Sequence, residues 1–124
     1  MKSDTPQKKS ERPLCLLIAD DNPSARAALR ALLESAVESD RPMALLEAKD
    51  GQAALEVADE AQPDVVLLDV EMPRRNGIEA TRLIKARWPA MRVVVLTMHQ
   101  RHRLPALAAG ADAFLLKGCP PERL

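Results

Sequence analysis

Side chains that bind cations or carry charge follow four short apolar segments of this chain. Asp20 and Asp21 follow the segment LCLLIA, and Asp69 follows VVLL. Thr97 follows VVVL, and Lys117 follows AFLL. If these segments are parallel strands of one sheet, their carboxyl ends meet at the same edge. The sequence therefore predicts a cluster of three carboxylates, one hydroxyl and one ammonium group.

Three converging carboxylates repel one another, and at least one pKa rises unless a cation lies between them. Mg²⁺ is the best candidate, because it takes oxygen ligands in an octahedron and keeps several waters. Asp20 or Asp21, Asp69 and a backbone carbonyl near Glu71 would supply the protein ligands. A carboxylate beside Mg²⁺ can attack a phosphoryl group and form an acyl phosphate. The nearby hydroxyl and ammonium groups would then neutralise charge on the phosphoryl oxygens.

The elements that position these residues alternate between strand and helix. Short apolar runs predict strands buried on both faces of a sheet, at 14–19, 43–46, 65–68, 93–96 and 113–116. Helices are predicted from Pro23 behind an Asn22 cap, over 51–60 behind Asp50, over 78–87, and in a shorter segment that ends at Gly110. Such alternation predicts an α/β fold with helices on both faces of a five-stranded parallel sheet. The expected flavodoxin-like strand order is 2-1-3-4-5, with ligands bound where β1 and β3 meet.

Charge and hydropathy exclude several classes of protein. Lys plus Arg and Asp plus Glu both number 18, so the basic surplus of a nucleic-acid binder is absent. We therefore expect no autonomous binding of DNA. No apolar run approaches the roughly 20 residues of a membrane-spanning helix. Residues 1–13 are polar and predict a disordered tail, and Cys15 and Cys119 are expected to be reduced thiols in a cytoplasmic protein.

Four motifs in order resemble the receiver domain family of bacterial two-component response regulators. They are LLIADDN, VVLLDVEMP, VVVLTMH and AFLLKG, and the resemblance covers residues 14–124. The segments ADDNP, LTMH and AGADAFLLKG are most similar to receivers of NarL/LuxR-type transcription factors. The resemblance implies a CheY-like fold and a cytoplasmic phosphoprotein that catalyses only its own phosphorylation and dephosphorylation.

The same resemblance assigns a role to each residue of the predicted cluster. Asp20 and Asp21 would organise Mg²⁺, and Asp69 would accept the phosphoryl group from a sensor histidine kinase. Thr97 would bind a phosphoryl oxygen, and Lys117 would pair with it. Phosphorylation would then switch a surface that contacts a partner protein, an output domain or a second copy of the chain.

The end of the chain departs from the family pattern. Seven residues follow Lys117, and two of them are Pro120 and Pro121. This segment is too short for the last helix of the family, so apolar sheet surface is expected to be uncovered. Residues 14–124 are therefore interpreted as a receiver domain whose final helix is truncated. A fragment, a truncated gene product and a protomer covered by a partner remain alternatives.

Three further residues and three rival functions complete the interpretation. Phe114 matches the aromatic switch position of the family, or it is a simple packing residue. His99 and His102 are expected to be solvated rather than metal ligands. One rival function is a receiver-like interaction module that works without phosphorylation, and another is a fragment of a two-domain DNA-binding regulator. A phosphatase with an aspartyl nucleophile is disfavoured, because Glu71 stands where such enzymes favour a second Asp.

Overall fold

The sheet has the strand order predicted from the sequence. The computed structural model of the protein describes residues 13–36 and 42–117. Its parallel strands lie in the order β2-β1-β3-β4-β5. They are β1 (Leu14–Ala19), β2 (Met43–Ala48), β3 (Val65–Asp69), β4 (Arg92–Thr97) and β5 (Ala113–Leu116). The flavodoxin-like topology is confirmed, and the predicted bounds of β1 and β5 coincide with the observed ones.

The helices begin where the sequence provides capping side chains. They are α1 (Pro23–Ala36), α2 (Gly51–Ala61), α3 (Gly77–Arg87) and the short α4 (Arg103–Ala108), which follows a 3₁₀ turn at Gln100–His102. Asn22 Oδ1 accepts hydrogen bonds from the amides of Ser24 and Ala25 at 2.8 and 3.1 Å. Asp50 and Asn76 cap α2 and α3 in the same way. Pro105 lies in the first turn of α4, where its missing N–H costs nothing.

The central strands form the core, because helices cover both faces of the sheet. Leu17, Val66, Leu68, Val93 and Val95 are completely buried. The neighbouring pairs α2 with α3 and α3 with α4 are in contact. The connection from β1 to β2 runs across the sheet in the opposite direction to the later ones. Right-handed crossovers therefore place α1 on the other face.

An apolar groove of about 740 Å³ lies between α1 and β5. Leu29 and Leu32 line one wall, Leu115 and Leu116 line the other, and Phe114 also contributes. Leu32 is 66% exposed and Leu115 is 53% exposed. Apolar side chains of α1 and β5 are therefore exposed within the part of the chain that the structure describes.

Two expectations concern the ends of the chain, most of which lie outside the described residues. The predicted tail lies almost wholly outside the described residues, and so does the predicted truncated helix after Lys117. Within ranges 13–36 and 42–117, the helices are all too short or too polar to span a bilayer.

Candidate functional site

The predicted carboxylates meet at the carboxyl edge of the sheet. Asp20 follows β1, Asp21 comes next, and Asp69 is the last residue of β3. One carboxylate oxygen from each of the three lies within 4.8 Å of the others. Asp20 and Asp69 are buried, whereas Asp21 is exposed. The cluster thus has a buried floor and one rim carboxylate open to solvent.

Lys117 connects the last strand to this cluster. Its Nζ donates a hydrogen bond to Asp20 Oδ2 at 2.9 Å and lies 3.4 Å from Asp69 Oδ1. Its amide donates to the carbonyl of Thr97 at 2.7 Å, which fixes the backbone that carries the ammonium group. Partial burial lowers the pKa of Lys117, but the two carboxylates outweigh burial and leave that pKa raised. Lys117 therefore remains a cation throughout the physiological range.

The environment of Asp69 disfavours ionisation of its carboxyl group. Burial raises its pKa, and the neighbouring Asp20 carboxylate raises it further. The ammonium group of Lys117 and the amide of Val70 lower the pKa but do not offset these effects. The carboxylate is therefore under-neutralised by the protein, and an added cation would favour its ionised form.

The amide of Asn22 fixes the other buried carboxylate. It donates to Asp20 Oδ1 at 3.0 Å, while Lys117 occupies Oδ2. Asp21 differs, because its carboxylate has no hydrogen-bond or ion-pair partner among the described residues. One member of the cluster is thus held rigidly, and its neighbour faces solvent.

Thr97 ends the strand beside Asp69. In the sheet register, Asp69 pairs with Leu96, so Thr97 lies one residue beyond it. Its side chain is buried, and its hydroxyl oxygen accepts from the amide of His99 at 3.2 Å. Phe114 is partly buried against the core and faces the groove beside α1. Thr97 thus lies at the cluster edge, while Phe114 lies on the neighbouring strand below it.

The Glu71 side chain gathers basic groups at the rim of the site. Its Oε2 atom lies 3.7 Å from His99 Nε2, 3.6 Å from His102 Nε2 and 3.6 Å from an Arg101 nitrogen. The His102 side chain is only 18% exposed, so the expectation that this histidine is solvated is wrong. Sequence spacing missed this because Glu71 comes from a different loop.

Comparison with known proteins identifies the family. The model of the response regulator receiver domain matches residues 16–124. The chain belongs to this family. Such receiver domains are the phosphoryl-accepting modules of two-component response regulators.

Three relatives illustrate the range of proteins that carry this receiver domain. A glutamate methylesterase/glutamine glutaminase of Myxococcus xanthus is 41% identical over 114 residues, 89% of this chain and 31% of that protein. The nitrate/nitrite response regulator NarL of Escherichia coli is 32% identical over 117 residues, 93% of this chain and 53% of that protein. The response regulator TrrA of Thermotoga maritima, solved with Mg²⁺ and BeF, has a TM-score of 0.75 at 27% identity and covers 84% of this chain and 86% of that one. The chain thus spans about half or less of the curated relatives it matches.

Gly77 is a structural residue of the receiver domain site that motif reading did not single out. A Cβ atom at this position would lie 2.0 Å from the carbonyl oxygen of Asp69. Only a glycine therefore lets α3 start directly against the backbone of that residue. The position of Gly77 at the end of the loop MPRRNG was visible, but its partner required the fold.

The loop between β3 and α3 also contacts the start of α2. Asp50, which caps α2, lies 3.4 Å from the Arg74 guanidinium, and Arg74 has a left-handed φ of 70°. A Cβ on Gly51 would lie 1.9 Å from the carbonyl oxygen of Arg75. The loop between β3 and α3, which carries Glu71, is therefore anchored on the start of α2.

Proposed function

We propose that Asp69 is the phosphoacceptor of this receiver domain and takes its phosphoryl group from a sensor histidine kinase in a Mg²⁺-dependent reaction. The observation that carries the proposal is the convergence of Asp20, Asp21 and Asp69 within 4.8 Å. Lys117, which lies between Asp20 and Asp69, supplies the complementary cation. Together with Mg²⁺, these groups match what phosphoryl transfer to a carboxylate requires, which supports the proposal.

The donor set fits Mg²⁺. Three carboxylates and one ammonium group leave two uncompensated negative charges at the cluster. Carboxylate oxygens are the hard ligands that Mg²⁺ prefers, and the exposed Asp21 leaves room for retained waters. Asp20, Asp21, Asp69 and the backbone carbonyl of Glu71 would hold the ion. When bound, Mg²⁺ supplies positive charge to the phosphoryl oxygens and favours the ionised form of the acceptor.

The transfer itself is a displacement at phosphorus. A carboxylate oxygen of Asp69 forms the new O–P bond as the N–P bond of the phosphohistidine breaks. The electron pair of that bond stays with the imidazole, which takes up a proton. Lys117 neutralises the phosphoryl oxygens, and the Thr97 hydroxyl donates to one of them. Hydrolysis by water returns Asp69 to the carboxylate, so the modification is transient.

Signal output depends on what the phosphorylated surface contacts. The same domain occurs in a nitrate/nitrite response regulator and in a protein-glutamate methylesterase, so the domain itself is a signalling module. Movement of Thr97 towards the phosphoryl group would vacate space for Phe114, which lies on the adjacent strand. We therefore assign these two residues to the switch, and the output to a partner protein or output domain in the cytoplasm.

The proposal is tested by phosphorylation with a small acyl phosphate. The protein is incubated with acetyl phosphate and Mg²⁺, and its intact mass is measured beside Asp69→Asn and Asp59→Asn. Asp59 is a surface carboxylate paired with Arg87, so its variant is the matched control. We expect one phosphoryl group on the wild type and on Asp59→Asn, and none on Asp69→Asn or in EDTA.

Two results would contradict this assignment. A phosphoryl group that remains on Asp69→Asn would place the acceptor elsewhere. A wild type that is folded by circular dichroism and binds Mg²⁺, but gains no phosphoryl group, would favour the rival function. In that case the protein would be an interaction module that works without phosphorylation.

A further inference from the structure

Arg26 contacts the backbone of the acidic cluster without belonging to it. From the first turn of α1, one terminal guanidinium nitrogen donates to the carbonyl oxygen of Asp20 at 2.6 Å. Its Nε donates to Glu47 Oε1 on β2 at 2.9 Å. The Arg26 side chain is only 18% exposed. This guanidinium therefore ties the peptide between Asp20 and Asp21 to the neighbouring strand.

The peptide that Arg26 holds determines where the Asp21 carboxylate points. A peptide unit is planar, so the carbonyl of Asp20 and the amide and Cα of Asp21 rotate together. Asp21 has no side-chain partner among the described residues that could correct a rotation. The orientation of this rim carboxylate thus depends on the hydrogen bond from Arg26.

Glu47 keeps the guanidinium in place. Its two carboxylate oxygens accept from Arg26 and from Arg30, each at 2.9 Å. Hydrogen bonds from Arg26 and then Arg30 lower the pKa of Glu47, so this carboxylate is ionised at neutral pH. Arg30 shares the same partner, but the backbone oxygen that it approaches is that of Leu45, at 3.4 Å. Of these two arginines, Arg26 is the one that reaches the cluster backbone.

We propose that Arg26 is a positioning residue for the divalent cation. By fixing the peptide between Asp20 and Asp21, it raises the affinity of the carboxylate cluster for Mg²⁺ without touching the ion. This inference rests on the proposed function, because it requires the cluster to bind Mg²⁺.

The sign of the effect separates this role from simple electrostatics. Arg26 is a cation close to a cation site, so Coulomb repulsion alone predicts tighter Mg²⁺ binding when its charge is removed. Loss of positioning predicts weaker binding. Outer contacts that orient metal ligands typically change affinity by about 10- to 100-fold, and the lower end fits an ion that keeps several waters.

The experiment measures equilibrium binding of Mn²⁺ from the electron paramagnetic resonance signal of the free ion, with Mg²⁺ as competitor. The variants are Arg26→Gln and the matched control Arg30→Gln. Each removes one positive charge and the contacts of that arginine to Glu47, but only the first removes the contact to the Asp20 carbonyl. We expect Kd to rise about tenfold in Arg26→Gln and to stay the same or fall in Arg30→Gln.

Thermal unfolding in EDTA accompanies each titration, because a merely structural role would lower the unfolding temperature without raising Kd. Should Arg26→Gln fail to fold, Arg26→Lys keeps the charge but replaces the guanidinium fork by a single point donor. A Kd about threefold above wild type then supports the proposal, whereas a wild-type Kd overturns it.

The outcomes also separate this proposal from the one on which it rests. Equal or tighter binding by Arg26→Gln, or equal weakening in both glutamine variants, refutes the positioning role and leaves the phosphoacceptor assignment intact. A folded wild type that binds neither ion refutes both.

Discussion

Replacing Asp69 by Asn should stabilise the protein at neutral pH when no divalent cation is present. With an effective dielectric constant near 20, the ammonium group of Lys117 at 3.4 Å attracts the Asp69 carboxylate by about 5 kcal/mol. Two carboxylates at up to 4.8 Å each repel it by about 3.5 kcal/mol, less for the exposed Asp21. The summed repulsion at least equals the attraction even after the contribution of the exposed Asp21 is reduced, so the cost of burying the charge is not offset. We expect Asp69→Asn to raise the free energy of unfolding by about 1–2 kcal/mol.

The pH dependence follows from the raised pKa of Asp69, which burial causes first and Asp20 second. Below the ordinary Asp pKa of about 3.9, the carboxyl group is neutral in the folded and unfolded states and costs nothing. As pH rises through the folded-state pKa, the native carboxylate ionises and the wild type loses stability relative to Asp69→Asn. The full difference should be present once pH exceeds that folded-state pKa.

The assay is urea unfolding in EDTA at pH 7, followed by the fluorescence of Trp88, the one tryptophan of the chain. Asp59→Asn is the control and should lie within about 0.5 kcal/mol of wild type. Added Mg²⁺ should reverse the order, since at roughly one hundred times Kd a ligand stabilises the native state by about 2.7 kcal/mol. An Asp69→Asn variant that is less stable than wild type in EDTA would refute this reasoning.

Two further substitutions test how the site is supported. Gly77→Ala should lower the free energy of unfolding by about 3 kcal/mol in urea titrations, although alanine favours helices, because its Cβ meets the Asp69 carbonyl. The same variant should accept phosphoryl groups from acetyl phosphate more slowly, and an unchanged rate would mean that the backbone relaxes elsewhere. Asn76→Ala removes the cap of α3, which accepts from the Glu79 amide at 2.8 Å, and should cost about 1 kcal/mol. Its urea midpoint is compared with that of Asn76→Asp, which keeps an accepting oxygen and should remain near wild type.

Strand positions were predictable because the strands are buried and uninterrupted. β1 and β5 were predicted residue for residue, and Asp69 was correctly placed at the end of β3. The second strand was predicted over 43–46 but extends to Ala48. Periodicity missed the extension because it contains a charged residue, Glu47. That residue continues the strand because it pairs with Ile18 of β1, and its exposed side chain forms ion pairs with Arg26 and Arg30 of α1.

The charged residues of the site were predictable from the sequence, but the contacts that hold them in place were not. Each charged residue of the cluster lies at or just beyond the carboxyl end of a strand, so topology alone brings them together. The contacts of Arg26 and Gly77 depend on how α1 and α3 sit against the sheet, which spacing along the chain does not encode. His99 and His102 were predicted to be solvated because they lie on a polar turn. Their contacts with Glu71 could not be predicted, because Glu71 lies on another loop.

The Asp20–Lys117 contact joins positions 97 residues apart, at the ends of the first and last strands. Strands β1 and β5 are not neighbours in the sheet, since β3 and β4 separate them. The ammonium group therefore reaches the carboxylates only after the whole sheet has formed. A chain still emerging from the ribosome, or one with a frayed β5, has its acids but lacks the counter-charge. If Lys117 pairs with the phosphoryl group as proposed, partly folded molecules would therefore accept no phosphoryl group.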